Sequence, residues 1–173
     1  GIRDQPRARG LGDVYKRQGL AYARPERSAS LRVRAYAVMG SRVIAGVYMG
    51  ELEIRSARDV DLPQLTEIYN YYIVNTAFTF DLEPFSVERR RSEWFSYYAP
   101  NGPHRVLVAI STAGRVQGFT YSSMFRPKAA YATSVETSVY CAPEAIGQGI
   151  GRRLYEALFD ELGKTEVQCA LAL

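Results

Sequence analysis

Histidine is almost absent. His104 is the only one among 173 residues, which removes multi-histidine metal centres and His-based catalytic arrays. Cysteine is scarce as well: Cys141 and Cys169 cannot build a disulfide framework and suit a reducing cytosol. No apolar run approaches the roughly 18 residues that a membrane-spanning helix needs, so no membrane partner is expected. A basic body is also missing. The chain carries 22 Lys+Arg against 18 Asp+Glu, net +4, but residues 1–50 hold 10 basic and 3 acidic residues, leaving 12 against 15 for the rest. The positive charge therefore lies in a leader, and nucleic acid, which needs a basic patch on the folded part, is not an expected partner.

What is present is ordinary globular composition, 47% hydrophobic and 23% charged, at a length of about one domain. Residues 1–48 mix Gly, Arg, Pro and Ser without a sustained period; only Leu31–Val38 alternates like a strand. An Arg-rich, acid-poor leader is open to reading as a transit peptide. The hexapeptide Asp13-Val-Tyr-Lys-Arg-Gln18 resembles one reading frame of a transposon end used to tag sequencing libraries. The reading that fits better is that 1–48 is non-native and that Met49 opens the domain, 49–173.

From there the pattern is regular. Glu51–Arg55 alternates like a strand. Asp59 and Asp61 precede Leu62, Leu65, Ile68, Tyr69, Tyr72 and Ile73, one face of a helix with acid at its N-terminus. Ser86 is a fair N-cap for a second helix through Arg89, Trp94 and Tyr98. Val106–Ile110 and Val116–Ser122 read as a hairpin about Thr112-Ala-Gly114. In Thr133–Cys141 the residues Val135, Thr137, Val139 and Cys141 face one way, and Glu136, Ser138 and Tyr140 the other. Ile150, Leu154, Leu158 and Leu162 step by four along a third helix, with Gly163 where a C-cap glycine belongs. Val167–Leu173 is β-competent. The order predicts an α/β (α+β) fold with a mixed sheet flanked by helices.

The chemistry-bearing segment lies between the last strand of that run and the third helix. Its loop carries Gly147, Gly149 and Gly151. Glycines let successive N–H groups converge on a phosphate, and the helix N-terminus behind them adds partial positive charge. Arg152 and Arg153 follow. A Walker loop requires a Lys that is not here, and the dinucleotide fingerprint requires Gly-x-Gly-x-x-Gly where this loop has Gly-x-Gly-x-Gly.

This strand, loop and helix resemble the acetyl-CoA-binding motif of the GNAT N-acetyltransferases, Arg/Gln-x-x-Gly-x-Gly/Ala, filled here by Ile146-Gly-Gln-Gly-Ile-Gly151. Further matches are similar to the phosphinothricin and methionine sulfoximine acetyltransferase branch: Ile68–Tyr72, Thr79-Phe-Asp81, Phe125-Arg-Pro127, Tyr131 and Val135–Tyr140. The resemblance covers about residues 52–173. It implies a mostly antiparallel sheet, acetyl-CoA as cosubstrate with no metal, a small-molecule amine acceptor, a homodimer and a cytoplasmic enzyme. Two departures stand out. Ile146 replaces the usual Arg or Gln, which removes a side-chain contact near the pyrophosphate. The chain also ends at Leu173, where the family continues, so the fold is expected to be incomplete at its C-terminal end.

The resemblance carries roles onto named residues. Glu136 is the implied general base, directly or through a water; a strand carboxylate facing solvent is the plain alternative. Backbone groups of Val139, Tyr140 and Cys141 are expected along the pantetheine arm, with a free N–H near the thioester oxygen. The Cys141 side chain is expected in the core, not as a nucleophile. N–H groups of Gly147, Gln148, Gly149, Ile150, Gly151 and Arg152 are expected at the pyrophosphate. Phe80, Phe125 and Tyr131 are candidate acceptor-pocket walls or plain core aromatics. Arg126 and Lys128 are candidates for a substrate carboxylate or a solvated basic loop. Tyr155 reads as packing and His104 as incidental. Together these give an N-acetyltransferase acting on the α-amine of a small amino-acid-like acceptor. The alternatives left open are a non-catalytic acyl-CoA-binding module and an inactive fragment with an open sheet edge.

Overall fold

A computed structural model describes residues 52–172; the leader, Leu31–Val38 and Met49 lie outside them. Five strands form one sheet in the order β1-β2-β3-β4-β5: β1 (Leu52–Ser56), β2 (Arg105–Ser111), β3 (Val116–Met124), β4 (Ser134–Cys141) and β5 (Cys169–Ala172). Three helices flank it, α1 (Leu62–Asn75), α2 (Val87–Glu93) and α3 (Ile150–Leu162). Strands β1 to β4 are antiparallel and β5 runs parallel to β4. This is the mixed sheet with helices that the patterning predicts, mostly antiparallel as the resemblance implies.

Each element follows from its residues. Strand β2 is apolar and buried at nearly every position, as an interior strand covered on both faces should be. Helix α1 buries Leu62, Leu65, Ile68, Tyr69 and Tyr72, the predicted stripe. Its acidic entry does more than meet a helix dipole. Asp61 is buried, accepts two hydrogen bonds from the Arg55 guanidinium at 2.7 and 2.9 Å, and takes the Arg58 N–H at 2.7 Å. Burial pushes the Asp61 carboxyl up, but the Arg55 fork and the Arg58 N–H together hold it below the usual carboxylate range.

Helix α3 buries Ile150, Leu154, Leu158 and Leu162, the predicted step of four. Gly118 on β3 lets it approach: a Cβ there would stand 3.3 Å from Leu154 Cδ1 and 2.8 Å from the Tyr140 carbonyl oxygen.

One expectation needs correction. Helix α2 ends at Glu93 and does not run through Tyr98; Trp94 adopts φ −132, ψ −59, and Phe95–Tyr97 form a separate 3-10 turn. The hydroxyls of Ser92 and Ser96 bond back to carbonyls four residues earlier, a habit that competes with straight helix. Gly163 is the C-cap of α3, as expected, and stays in the right-handed region at φ −60 while Lys164 and Thr165 continue the turn by donating to the Glu161 and Leu162 carbonyls.

Candidate active site

The alternation of β4 sends its side chains to two different environments. Val135 and Thr137 are fully buried on the side that α3 covers. On the same side, Val139 Cγ2 and Cys141 Sγ lie 3.8 and 3.6 Å from where a Gly151 Cβ would stand. Glu136, Ser138 and Tyr140 point to the side of α1 and α2, each partly buried. Glu136 sits opposite Ser123, Ser138 opposite Tyr121, and Tyr140 opposite Phe119.

That second side is aromatic. Tyr140 stacks with Phe119 at 5.4 Å and meets Tyr69 and Tyr72 edge-on at 5.1 and 5.2 Å. Trp94 closes on Phe119 and Tyr121. Burial pushes the phenols of Tyr69, Tyr98 and Tyr140 well above their ordinary values, so all three stay protonated donors at neutral pH. The Tyr72 hydroxyl donates to the Cys141 carbonyl at 2.8 Å, tying α1 to the end of β4.

The outer edge of β4 is half used. Strand β5 pairs with Ser134–Thr137, in register with Cys169–Ala172. Among the described residues no strand pairs with the outer edge of Ser138–Cys141. The Ala142 N–H bonds to Gln117 across the inner edge, so by strand alternation the N–H groups of Val139 and Cys141 point outward. Both residues therefore stand where an extended ligand can add as a strand. Burial raises the Cys141 thiol and the Gly151 N–H partly offsets it, so the side chain remains a neutral packing group.

The loop after β4 brings its amides to the same end. Ala142 and Pro143 stop the strand, and a 3-10 turn covers Pro143–Ala145. Gly147 and Gly149 then adopt φ +83 and +75, values that side chains resist. Gly149 is the N-cap of α3, so the first turn of the helix opens onto this loop. Gln148 donates its N–H to Ala145 at 3.4 Å, and the Gly151 N–H turns to the Cys141 sulfur. Among the described residues the N–H groups of Gly147, Gly149, Ile150 and Arg152 meet no acceptor. Four of the six expected pyrophosphate donors are thus free, and two are held inside the protein. Arg152 pairs with Glu156 on the surface at 2.7 Å, and Arg153 donates to the Leu52 carbonyl at 3.3 Å, away from the loop. Ile146 is 59% exposed beside the free amides and adds no charge.

The acceptor-side candidates are less gathered. Phe125 and Tyr131 meet edge-on at 5.5 Å, with the Arg126 guanidinium 5.1 and 5.9 Å above their rings. Arg126 and Lys128 are exposed in the loop between β3 and β4, Lys128 leading into a 3-10 turn. Phe80 is fully exposed, neither core nor the wall of an enclosed space among the described residues. Tyr155 is half-buried and stacks on Phe159 at 5.4 Å, as a packing residue would. Two surface depressions, one lined by Leu52, Ser111 and Arg153 and one of about 270 Å³ between Gln64, Tyr71 and Pro143, leave Glu136 out. Sequence reasoning missed Arg90, whose guanidinium lies 3.9 Å from the Tyr69 ring centre and 4.0 Å from that of Trp94. The signal was available in its i, i+4 spacing to Trp94 on a helix face.

Comparison with known proteins agrees with this geometry. The model of the acetyltransferase (GNAT) domain matches residues 54–168. An N-acetyltransferase of Streptomyces griseus is 46% identical over 126 residues, 70% of this chain and 64% of that protein. A phosphinothricin N-acetyltransferase of Streptomyces coelicolor is 45% identical over 123 residues, covering 70% and 71%. The chain thus spans under two thirds of the first relative's length and somewhat more of the second's. The crystal structure of a phosphinothricin acetyltransferase from Sinorhizobium meliloti, in complex with acetyl-CoA, superposes with a TM-score of 0.59 at 36% identity, covering 64% of this chain and 59% of that one.

Proposed function

The chain belongs to the acetyltransferase (GNAT) family, and from that premise we propose that it moves an acetyl group from acetyl-CoA to the α-amine of a small amino-acid-like acceptor of the phosphinothricin or methionine sulfoximine type. One observation carries the reading: free amides at the start of α3 and the outer edge of Val139–Cys141, which no strand among the described residues pairs, meet at one end of β4, on the strand that carries Glu136.

The residues present fit the cosubstrate. N–H groups of Gly147, Gly149, Ile150 and Arg152 supply donors for a pyrophosphate, reinforced by the helix behind them. The outward backbone of Val139 and Cys141 suits an amide-bearing arm, and an N–H there polarises a carbonyl oxygen. Acetyl-CoA supplies an acyl group already activated as a thioester, so no covalent enzyme intermediate is required. At neutral pH an amine is mostly protonated, so Glu136 takes a proton from it, directly or through a water, as the N–C bond forms and the C–S bond breaks. Phe125 and Tyr131 flank the acceptor, and Arg126 and Lys128 face its acidic groups. The reading includes a homodimer working in the cytoplasm.

The test is thiol release from acetyl-CoA with phosphinothricin and methionine sulfone, run beside calorimetric CoA binding. Acceptor-dependent thiol release supports the enzyme. Tight CoA binding with no release by any amine overturns it in favour of a non-catalytic acyl-CoA-binding module, a reading to which the exposed, uncharged Ile146 lends weight.

A further inference from the structure

Two arginines are equally buried, each 4% exposed, and their circumstances differ completely. Arg105 donates from Nε and Nη2 to the Gly102 carbonyl and from Nη1 to the Glu161 carboxylate. Arg90, the one buried residue of α2, has Nε and Nη2 shielded from water without a hydrogen-bond partner among the described residues. Among the described residues no carboxylate lies within ion-pair distance of it. The rings of Tyr69 and Trp94 face the cation and compensate part of its lost hydration. They cannot accept the in-plane N–H bonds. Buried, unpaired guanidinium donors are costly and uncommon, and they call for an occupant.

The orphaned pair identifies the occupant's shape. Nε–H and Nη2–H lie along one edge of the guanidinium and point in parallel, the fork that a carboxylate meets with both oxygens. The location identifies its source. Arg90 lies under the aromatic side of β4, where Tyr69, Tyr121 and Tyr98 surround it. The half-buried Tyr98 ring packs on Trp94 at 4.9 Å and on Tyr121 at 5.9 Å, beside the ring that carries Arg90, and its phenol is near enough to feel both the Arg90 cation and the Glu136 carboxylate. Ser138, small and partly exposed, separates Glu136 from Tyr140 on that same side. A base and an unsatisfied cation on one side of one strand match an acceptor with an amine at one end and a carboxylate beside it.

We propose that Arg90 is a specificity-determining residue that receives the α-carboxylate of the acceptor through its Nε/Nη2 fork, while Glu136 faces the amine. The inference rests on the acetyl-transfer reading above. It divides the basic groups: Arg90 reads the α-carboxylate common to all amino acids, and the exposed Arg126 and Lys128 are left for a second acidic group such as a phosphinate.

The test compares L-methionine sulfone with its α-amide, in turnover with acetyl-CoA and in thermal shift with CoA present. Wild-type protein is expected to favour the acid by about 10- to 100-fold in kcat/KM, expressed mainly in KM, and to gain thermal stability from the acid alone. Arg90→Met removes the charge at similar volume and is expected to bring the acid down to the level of the amide. Arg90→Lys keeps a cation between the rings but breaks the fork, and carries the same test if Arg90→Met does not fold. Persistence of the wild-type preference in a folded variant, or its absence in the wild type, overturns the inference while leaving the acetyltransferase intact. Should the wild type acetylate no amine, the proposed function fails and the thermal shift decides alone. Stabilisation by the acid in the wild type but not in the variants then supports Arg90 as the carboxylate receptor; equal behaviour refutes it.

Discussion

The two sides of β4 are built on opposite principles. Toward α3 the strand presents Val135 and Thr137, both fully buried, beside Thr120 and Ser122 of β3. The hydroxyls there are satisfied locally: Thr120 bonds to Ser138, Thr137 to Leu171 and Ser122 to Pro103. Toward α1 and α2 the same strand presents Glu136, Ser138 and Tyr140 to a layer of aromatics around an unpartnered Arg90. One side is closed and internally satisfied. The other holds charge and unused donors in partly dry surroundings, an arrangement that costs stability and is found where chemistry is done. Substitutions on the first side should therefore be read in stability, and substitutions on the second in turnover.

The largest effect is expected on the second side. Glu136→Gln keeps shape and removes the base, so kcat should fall about 10²- to 10⁴-fold, roughly 3–5 kcal/mol. Unfolding midpoint and CoA affinity should stay near the wild type; a matching loss of stability would break the division between the two sides. Gly118→Ala tests the first side. Its Cβ would stand 2.8 Å from the Tyr140 carbonyl oxygen and 3.3 Å from Leu154, contacts that only a shift of α3 or of β4 can relieve. A loss of about 3 kcal/mol in urea unfolding is expected, and no loss would mean that α3 packs less closely than described.

A third, smaller effect concerns the helix that roofs the aromatic side. The Arg55 fork and the Arg58 N–H outweigh burial and hold the Asp61 carboxyl below its unfolded value, near 3.9. A carboxyl depressed in the folded state contributes stability that is complete above the unfolded value and lost as pH falls through the folded one. Thermal midpoints should therefore drop more steeply with acid below about pH 4 in the wild type than in Asp61→Asn. At pH 7 that variant should be about 2 kcal/mol less stable. Parallel acid limbs would remove Asp61 from the account.

The closed side is the readable one. Its signals are local and periodic: alternation in β4, leucines spaced by four in α3, and glycines whose backbone angles follow from their missing side chains. The glycine loop is legible for the same reason, since its function resides in amides. The aromatic side depends on contacts between residues far apart in sequence, such as Tyr69 with Tyr140 and Tyr72 with Cys141. No period announces those, so Arg90 escapes notice and Phe80 is assigned a wall to form although it stands in solvent. Helix α2 reads too long because Trp94 and Tyr98 do keep helical spacing, while the backbone between them turns as 3-10.

The smallest predicted effect lies where the two sides meet, at Ile146. It is 59% exposed next to amides that meet no acceptor, at the position where the family usually carries Arg or Gln. Its φ of −65 and ψ of 139 are extended, so any side chain is admitted without strain. Ile146→Arg adds a charge that is largely solvated, so screening keeps the gain to a few tenths of a kcal/mol and at most about 1. CoA affinity should rise about threefold at low salt, and the rise should shrink toward nothing at high salt. Folding stability should not change, since no packed atom is displaced. A tighter fit that survives high salt would mean that the introduced guanidinium finds a shielded anionic partner, and that this loop is more enclosed than its exposure implies.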